Sequence, residues 1–206
     1  MLRLNFARLR QMLNFTRQPS PDGSGSPQRS EDYSGQRETA PENMKKILLL
    51  SDTHSYIDQK ILDYAAQADE VWHGGDIGNL SVTDRLKEVK PLRGVYGNID
   101  DAKARMEFPL NNRFMCEGVD VWITHIGGYP GKYNPAIREE ITLNPPKLFI
   151  CGHSHILKVI FDKKLNLLHM NPGAAGTHGF HKVRTMLRFE IDGDKIQNLE
   201  VIEMKK

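Results

Sequence analysis

The chain has 206 residues, 39% of them hydrophobic, and a formal net charge of +2. That length suits one domain with a real core and some excess, and the near-balanced charge gives no case for a specific nucleic-acid partner or a membrane surface. Two cysteines, Cys116 and Cys151, are too few for a disulfide framework and fit a reducing cytoplasm, while no apolar run approaches the roughly 18–20 residues that span a bilayer.

Residues 1–43 carry little that could pack. The first eighteen hold four arginines and no acid, with apolar residues at helix-like spacing. A basic targeting peptide is one reading, and a non-native extension upstream of a start at Met44 is the other and the one favoured here. The Pro/Gly/Ser-rich stretch PSPDGSGSPQRSEDYSGQ follows and reads as disordered linker. The folded domain is expected over 44–206.

From Lys45 the pattern alternates. Residues 46–51 form a short apolar run suited to a buried strand. Residues 57–67 read as a helix with Ile57, Ile61, Leu62, Ala65 and Ala66 on one face. A strand over 70–73, a helix over 80–89 and a strand over 92–96 complete a βαβαβ opening, which implies parallel strands with covering helices. Residues 105–109, 113–117 and 119–124 read as successive strands. Residues 134–143 read as a helix with Asn134 as N-cap and Pro135 at its first position. A buried strand over 147–151 follows, then strands over 156–161, 165–170, 184–191 and 195–203, joined in part by hairpin turns. An α/β front with a β-rich continuation predicts two sheets packed face to face with helices outside.

Chemistry-bearing residues gather where these strands end. Asp52 and His54 follow the first apolar run, Asp76 the second, Asn98 the third, His125 the fourth, and His153 with His155 the fifth. Loops at strand ends of an α/β sheet converge in space. Asp-x-His lets a carboxylate and an imidazole approach one ion. In Gly74-Gly75-Asp76 the glycines leave room near a carboxylate whose two oxygens could bridge two cations. Asn98 offers a neutral amide oxygen. Taken singly, each of these is also an ordinary turn, and a lone His125 is also an ordinary structural residue. Gly152-His153-Ser154-His155 is the least turn-like, because two imidazoles directly after a buried run have few structural explanations.

The ordered set D-x-H, G-G-D, G-N-x-D, H and G-H-x-H resembles the calcineurin-like metallophosphoesterases, and its close spacing resembles the small single-domain phosphodiesterases of the YfcE type. Residues 171–174, NPGA, are similar to that branch's Asn-Pro-Gly-Ser loop, with Ala174 in place of the usual Ser. The resemblance covers residues 45 to about 203. It implies a four-layer αββα sandwich. It also implies a first metal held by Asp52, His54 and His155, a second held by Asn98, His125 and His153, and Asp76 bridging the two, with water or hydroxide between them.

Two divalent cations roughly 3.5–4 Å apart would activate that water and neutralise charge on a phosphoryl group. Mixed imidazole, carboxylate and amide ligands suit transition metals, with manganese expected first and nickel, iron, cobalt or zinc as alternatives. The expected activity is hydrolysis of a small phosphoester, foremost a phosphodiester. Larger relatives in the superfamily carry a histidine after the metal-binding Asn; here that position is Ile99, which cannot transfer a proton. Substrates with good leaving groups are therefore favoured. Asp100 stands ready either to orient a ligand or to tie a turn. His73 and Cys151 are expected to be structural; the loop 176–182, with His178, His181 and Lys182, could contact substrate, but a solvated loop is the reading favoured here. The competing function is a protein-binding scaffold, as in the retromer subunit of this fold, but no ligand position is missing here. A purely structural metal site fits poorly, since such sites are usually closed and Cys-rich.

Overall fold

The computed structural model describes residues 44–206; the readings for residues 1–43 lie outside them. Strand β1 (Lys45–Leu50), helix α1 (Gln59–Ala66), strand β2 (Glu70–His73), helix α2 (Ser81–Val89) and strand β3 (Leu92–Gly94) form the expected βαβαβ opening. β1 pairs in parallel with β2, and β2 with β3. Two long antiparallel strands, β11 (Val183–Asp192) and β12 (Lys195–Lys205), extend the other side, giving the order β12-β11-β1-β2-β3. The second sheet runs β4 (Asn111–Cys116), β5 (Val119–Thr124), β8 (Leu148–Ile150), β10 (Leu167–Pro172) and β9 (Leu157–Asp162). A small hairpin, β6 (Gly128–Tyr129) with β7 (Lys132–Tyr133), and helix α4 (Pro135–Leu143) lie between β5 and β8 in the chain.

The side chains explain the layering. Leu48 and Leu50 of β1 and Val71 of β2 pack with Ile61, Leu62 and Ala65 of α1 and with Val82 and Leu86 of α2. Ile47 and Leu49 alternate with them and are equally buried, so β1 is covered on both faces and reads as a continuous apolar run. Trp72 of β2 meets Phe114 of β4 edge-on at 5.2 Å, which joins one sheet to the other. On the second sheet, Trp122 and Phe149 pack with Ile137 and Ile141 of α4. The result is two five-stranded mixed sheets flanked by helices, the αββα sandwich.

Local chemistry sets the element ends. The Asp58 carboxylate accepts the Ile61 amide and starts α1 there, so Ile57 lies before the helix and not within it. Asn134 accepts the Ala136 amide, with Pro135 opening α4 as expected. The strand expected over 105–109 is instead helix α3 (Ala102–Glu107). Asp101 caps it by accepting the Ala104 amide, and with only Ala104 buried in it the apolar alternation that suggested a strand has no sheet to join. The β6–β7 hairpin is too short to leave a pattern in the sequence. Among the described residues no helix is long and apolar enough to cross a membrane.

Candidate metal centre

β1, β2 and β3 of one sheet and β5 and β8 of the other deliver their C-terminal ends to one place. Backbone hydrogen bonds tie these ends together: Asp52 N–H to the Gly75 carbonyl at 2.9 Å, His54 N–H to the Asp76 carbonyl at 3.0 Å, and Gly152 N–H to the His125 carbonyl at 3.0 Å. Across the two sheets the His153 amide reaches both oxygens of Asp52 at 3.2 Å. All seven candidate ligands are thereby brought together.

They form two groups. The donor atoms of Asp52, His54 and His155 lie within 4.8 Å of one another, as do those of Asp76, His125 and His153. Asn98 joins the second group, with its Oδ1 3.1 Å from His125 Nε2. The carboxylate of Asp76 is divided between them: Oδ1 lies 3.1 Å from His125 Nε2 and Oδ2 lies 3.7 Å from His54 Nε2. His155 Nε2 sits 3.1 Å from His54 Nε2 and 3.3 Å from Asp52 Oδ1.

The donor set fits cations. His125 Nδ1 lies 2.8 Å from the Gly74 carbonyl; a carbonyl only accepts, so in the neutral ring Nδ1 carries the proton and Nε2 presents its lone pair. That lone pair faces Asp76 Oδ1 and Asn98 Oδ1, which are acceptors too. Three lone pairs converging on one spot need a positive charge there, a bound cation or, without one, a proton on Nε2. Two ligand atoms each about 2.1 Å from a common ion stand about 3.0–3.5 Å apart, in line with the spacings here. Asp52, Asp76 and His125 are no more than 2% exposed, and among the described residues neither carboxylate pairs with Lys or Arg. Buried carboxylates without a cation are costly. In the metal-free protein the histidines respond. Burial presses the His125 imidazolium down, but its hydrogen bond to Asp76 and the nearby carboxylates outweigh this and hold its pKa above the ordinary value. The hydrogen bond to Asp52 raises that of His155, whereas burial lowers that of His54.

Backbone strain concentrates in the same place. Asp52, His54, Asp76, His153 and His155 all adopt left-handed backbone, with φ between 46° and 70°. Each such residue costs on the order of 1 kcal/mol or more, and together they bring their donor atoms to one place within very short loops. Gly97 is required by close approach: a Cβ there would stand 2.1 Å from Asp76 Oδ1.

The neighbours divide by role. Asp100 accepts the amides of Ile77, Gly78 and Gly97 at 2.7–3.1 Å, so it ties the Asp76 loop to the Asn98 loop. The Ile99 amide donates to Asp76 Oδ1 at 3.1 Å, while its side chain offers no proton. His73 is fully buried between Thr53 Oγ1 and the Gly75 amide, with burial holding its pKa down to about 4. Cys151 is a buried thiol pushed up to about 12 by desolvation, and its Sγ donates to the Gly128 carbonyl. The loop 176–182 is largely solvated as expected, with Thr177, His178, Phe180 and Lys182 exposed, but two of its rings lie against the site. The His178 ring packs 4.7 Å from His54 and the His181 ring 5.5 Å from His155. The two histidines three apart in a Gly-containing loop were the available signal.

Solved structures share this fold. The chain is similar to an archaeal phosphodiesterase at 19% identity, covering 77% of this chain and 99% of that one, with a TM-score of 0.59. A Thermotoga maritima protein is 22% identical over 78% of this chain and 99% of its own, with a TM-score of 0.58. Vacuolar protein sorting 29 from Cryptosporidium parvum is 17% identical over 79% and 99%, with a TM-score of 0.61. No curated protein matches the chain significantly. The model of the calcineurin-like phosphoesterase superfamily domain matches residues 44–194, and the chain belongs to that superfamily.

Proposed function

We propose that the protein is a metal-dependent phosphoesterase acting on small phosphodiesters. The observation that carries this is Asp76: one buried carboxylate with its oxygens split between two histidine-containing groups. Asp52, His54 and His155 would hold one divalent ion, Asn98, His125 and His153 the other, with Asp76 serving both. When bound, such a pair supplies Lewis acidity, making water nucleophilic near neutral pH and neutralising phosphoryl charge. The protein's own part is to fix the ligands. The Gly74 carbonyl selects the His125 tautomer, the Ile99 amide holds one oxygen of Asp76, and Asp100 locks the two loops. With isoleucine at position 99, leaving groups that depart without a proton are favoured, as in aryl diesters. Manganese is the first metal to try, then nickel, iron, cobalt and zinc. Two buried, unpaired thiols support a cytoplasmic setting.

The test is hydrolysis of bis(p-nitrophenyl) phosphate by the manganese-loaded protein, abolished in Asp76→Ala. No turnover with any of these metals, together with a stoichiometric protein partner and no metal by elemental analysis, would instead establish a scaffold.

A further inference from the structure

A cleft of about 710 Å³ opens beside the metal centre and shares His153 with it. That volume is in the range of pockets that hold small-molecule ligands. Its wall is built from the β6–β7 hairpin, the start of α4, the loop after β8, and strands β9 and β10. Three cations line it, Lys132, Arg138 and Lys158, and no acidic residue does.

Among the described residues no carboxylate neutralises these cations directly: none of the three forms an ion pair with one. Arg138 gives one N–H to the Tyr133 carbonyl at 3.3 Å and keeps the rest of its fork. Lys158 is half-buried, with its ammonium 3.9 Å from the Tyr129 ring centre. Burial holds the pKa of His169, which also lines the cleft, down to about 4, so this ring stays neutral and the cleft's positive charge rests on the three cations. The cleft also receives the N-terminal end of α4 at Asn134 and Pro135, where the helix dipole favours an anion.

Three cations free of ion pairs in a concave wall lined by no acid match an anion carrying more than one charge; the carboxylate behind the wall, Asp162, is taken up by the Tyr133 hydroxyl and the amides of Lys164 and Leu165. The scissile phosphate is already served at the metal centre, so this anion belongs to another part of the substrate. Resting on the phosphoesterase reading above, we infer that the cleft binds a second phosphate, so that the preferred substrates are phosphodiesters carrying a further phosphate group on the portion that extends past His153.

Two p-nitrophenyl esters of thymidine 5′-phosphate that differ only in a 3′-phosphate test this with the manganese-loaded full chain. The 3′-phosphorylated ester should have a kcat/KM about tenfold or more higher, because each hydrogen bond to a charged group is worth about that factor. The preference should reside mainly in KM and shrink as salt is added. Lys158→Ala and Lys132→Glu should each reduce the preference while bis(p-nitrophenyl) phosphate turnover is retained, which also shows that the variants fold. Equal kcat/KM for the two esters in the unaltered protein, or variants that slow both esters equally, would overturn the inference. If neither ester is cleaved, the phosphoesterase reading fails by itself. Calorimetry then decides the cleft separately: thymidine 3′,5′-bisphosphate should bind more tightly than thymidine 5′-monophosphate, and equal affinity would overturn the second-phosphate site.

Discussion

The strands that carry the candidate ligands follow one rule along their bodies and another at their ends. In β1 and β8 the bodies are apolar, covered on both faces and regular in backbone; Leu49, Leu50, Leu148 and Ile150 are fully buried. Two residues after β1 the chain turns left-handed and buries Asp52, three after β8 it turns left-handed at His153, and Asp76 and His125 are as enclosed as Asp52 just after β2 and β5. The bodies supply stability. The ends hold like charges and strained dihedrals that oppose it, which the packing behind them makes tolerable. The contrast teaches where function sits in this fold: where the local rules for a stable protein are broken together.

The sharpest break of that contrast is Asp76→Asn. The account predicts at least ~10³-fold loss of diesterase kcat, about 4 kcal/mol of transition-state stabilisation. It also predicts that the metal-free variant still unfolds cooperatively in urea, shifted by no more than ~1 kcal/mol, because losing the pairing with His125 is offset by no longer burying a charge. A variant that is inactive because it is unfolded would erase the distinction between ends and bodies. The converse change is Leu49→Ala in the body of β1. It should cost about 3 kcal/mol in urea unfolding and leave kcat per folded molecule within about twofold.

The strand start gives the next test, because charge there is handled in the ordinary way. Glu70 at the head of β2 is buried, yet it is met by Arg93 at 2.8 Å, Trp72 Nε1 at 3.1 Å and Lys45 at 3.2 Å. Burial opposes its ionisation, but these donors outweigh it and hold its pKa down to about 2 from the ordinary 4.5. A depressed acid stabilises the fold above its unfolded pKa. The contribution, about 3 kcal/mol at neutral pH, should therefore be lost as pH falls from about 4.5 to about 2. Glu70→Gln should flatten that part of the stability–pH curve measured by urea unfolding. An unchanged curve would show that Glu70 is not held this way.

The smallest effect is expected from the loop that packs against the ends without contributing one of the seven ligands. His178→Ala removes a ring packed at a tilt 4.7 Å from His54 and should weaken metal binding on that side by about tenfold, read by manganese titration. A loss as large as that of Asp76→Asn would mean that the loop is part of the ligand set.

The two regions were also unequally legible in the sequence. The bodies announce themselves because a strand covered on both faces must be apolar throughout. The candidate ligands stand out because acids and histidines rarely follow such runs, and their order resembles a superfamily to which the chain proves to belong. The strand expected over 105–109 failed where a side-chain cap, Asp101, decided the matter against an apolar alternation. Loop 176–182 is exposed as read, but its ring contacts with His54 and His155 left no trace in the sequence, because glycine and exposed polar residues look the same in a free loop as in one resting on other side chains. The cleft is invisible in one dimension: Lys132, Arg138 and Lys158 come from a hairpin, a helix and a strand that only the fold brings together.

The central claim is that Asp76 joins two halves of one centre. Electron paramagnetic resonance of the protein loaded with two equivalents of manganese tests it most directly. The account predicts an exchange-coupled manganese pair in the parent that gives way to the signal of isolated ions in Asp76→Ala. Isolated-ion spectra in the parent at full loading would contradict it.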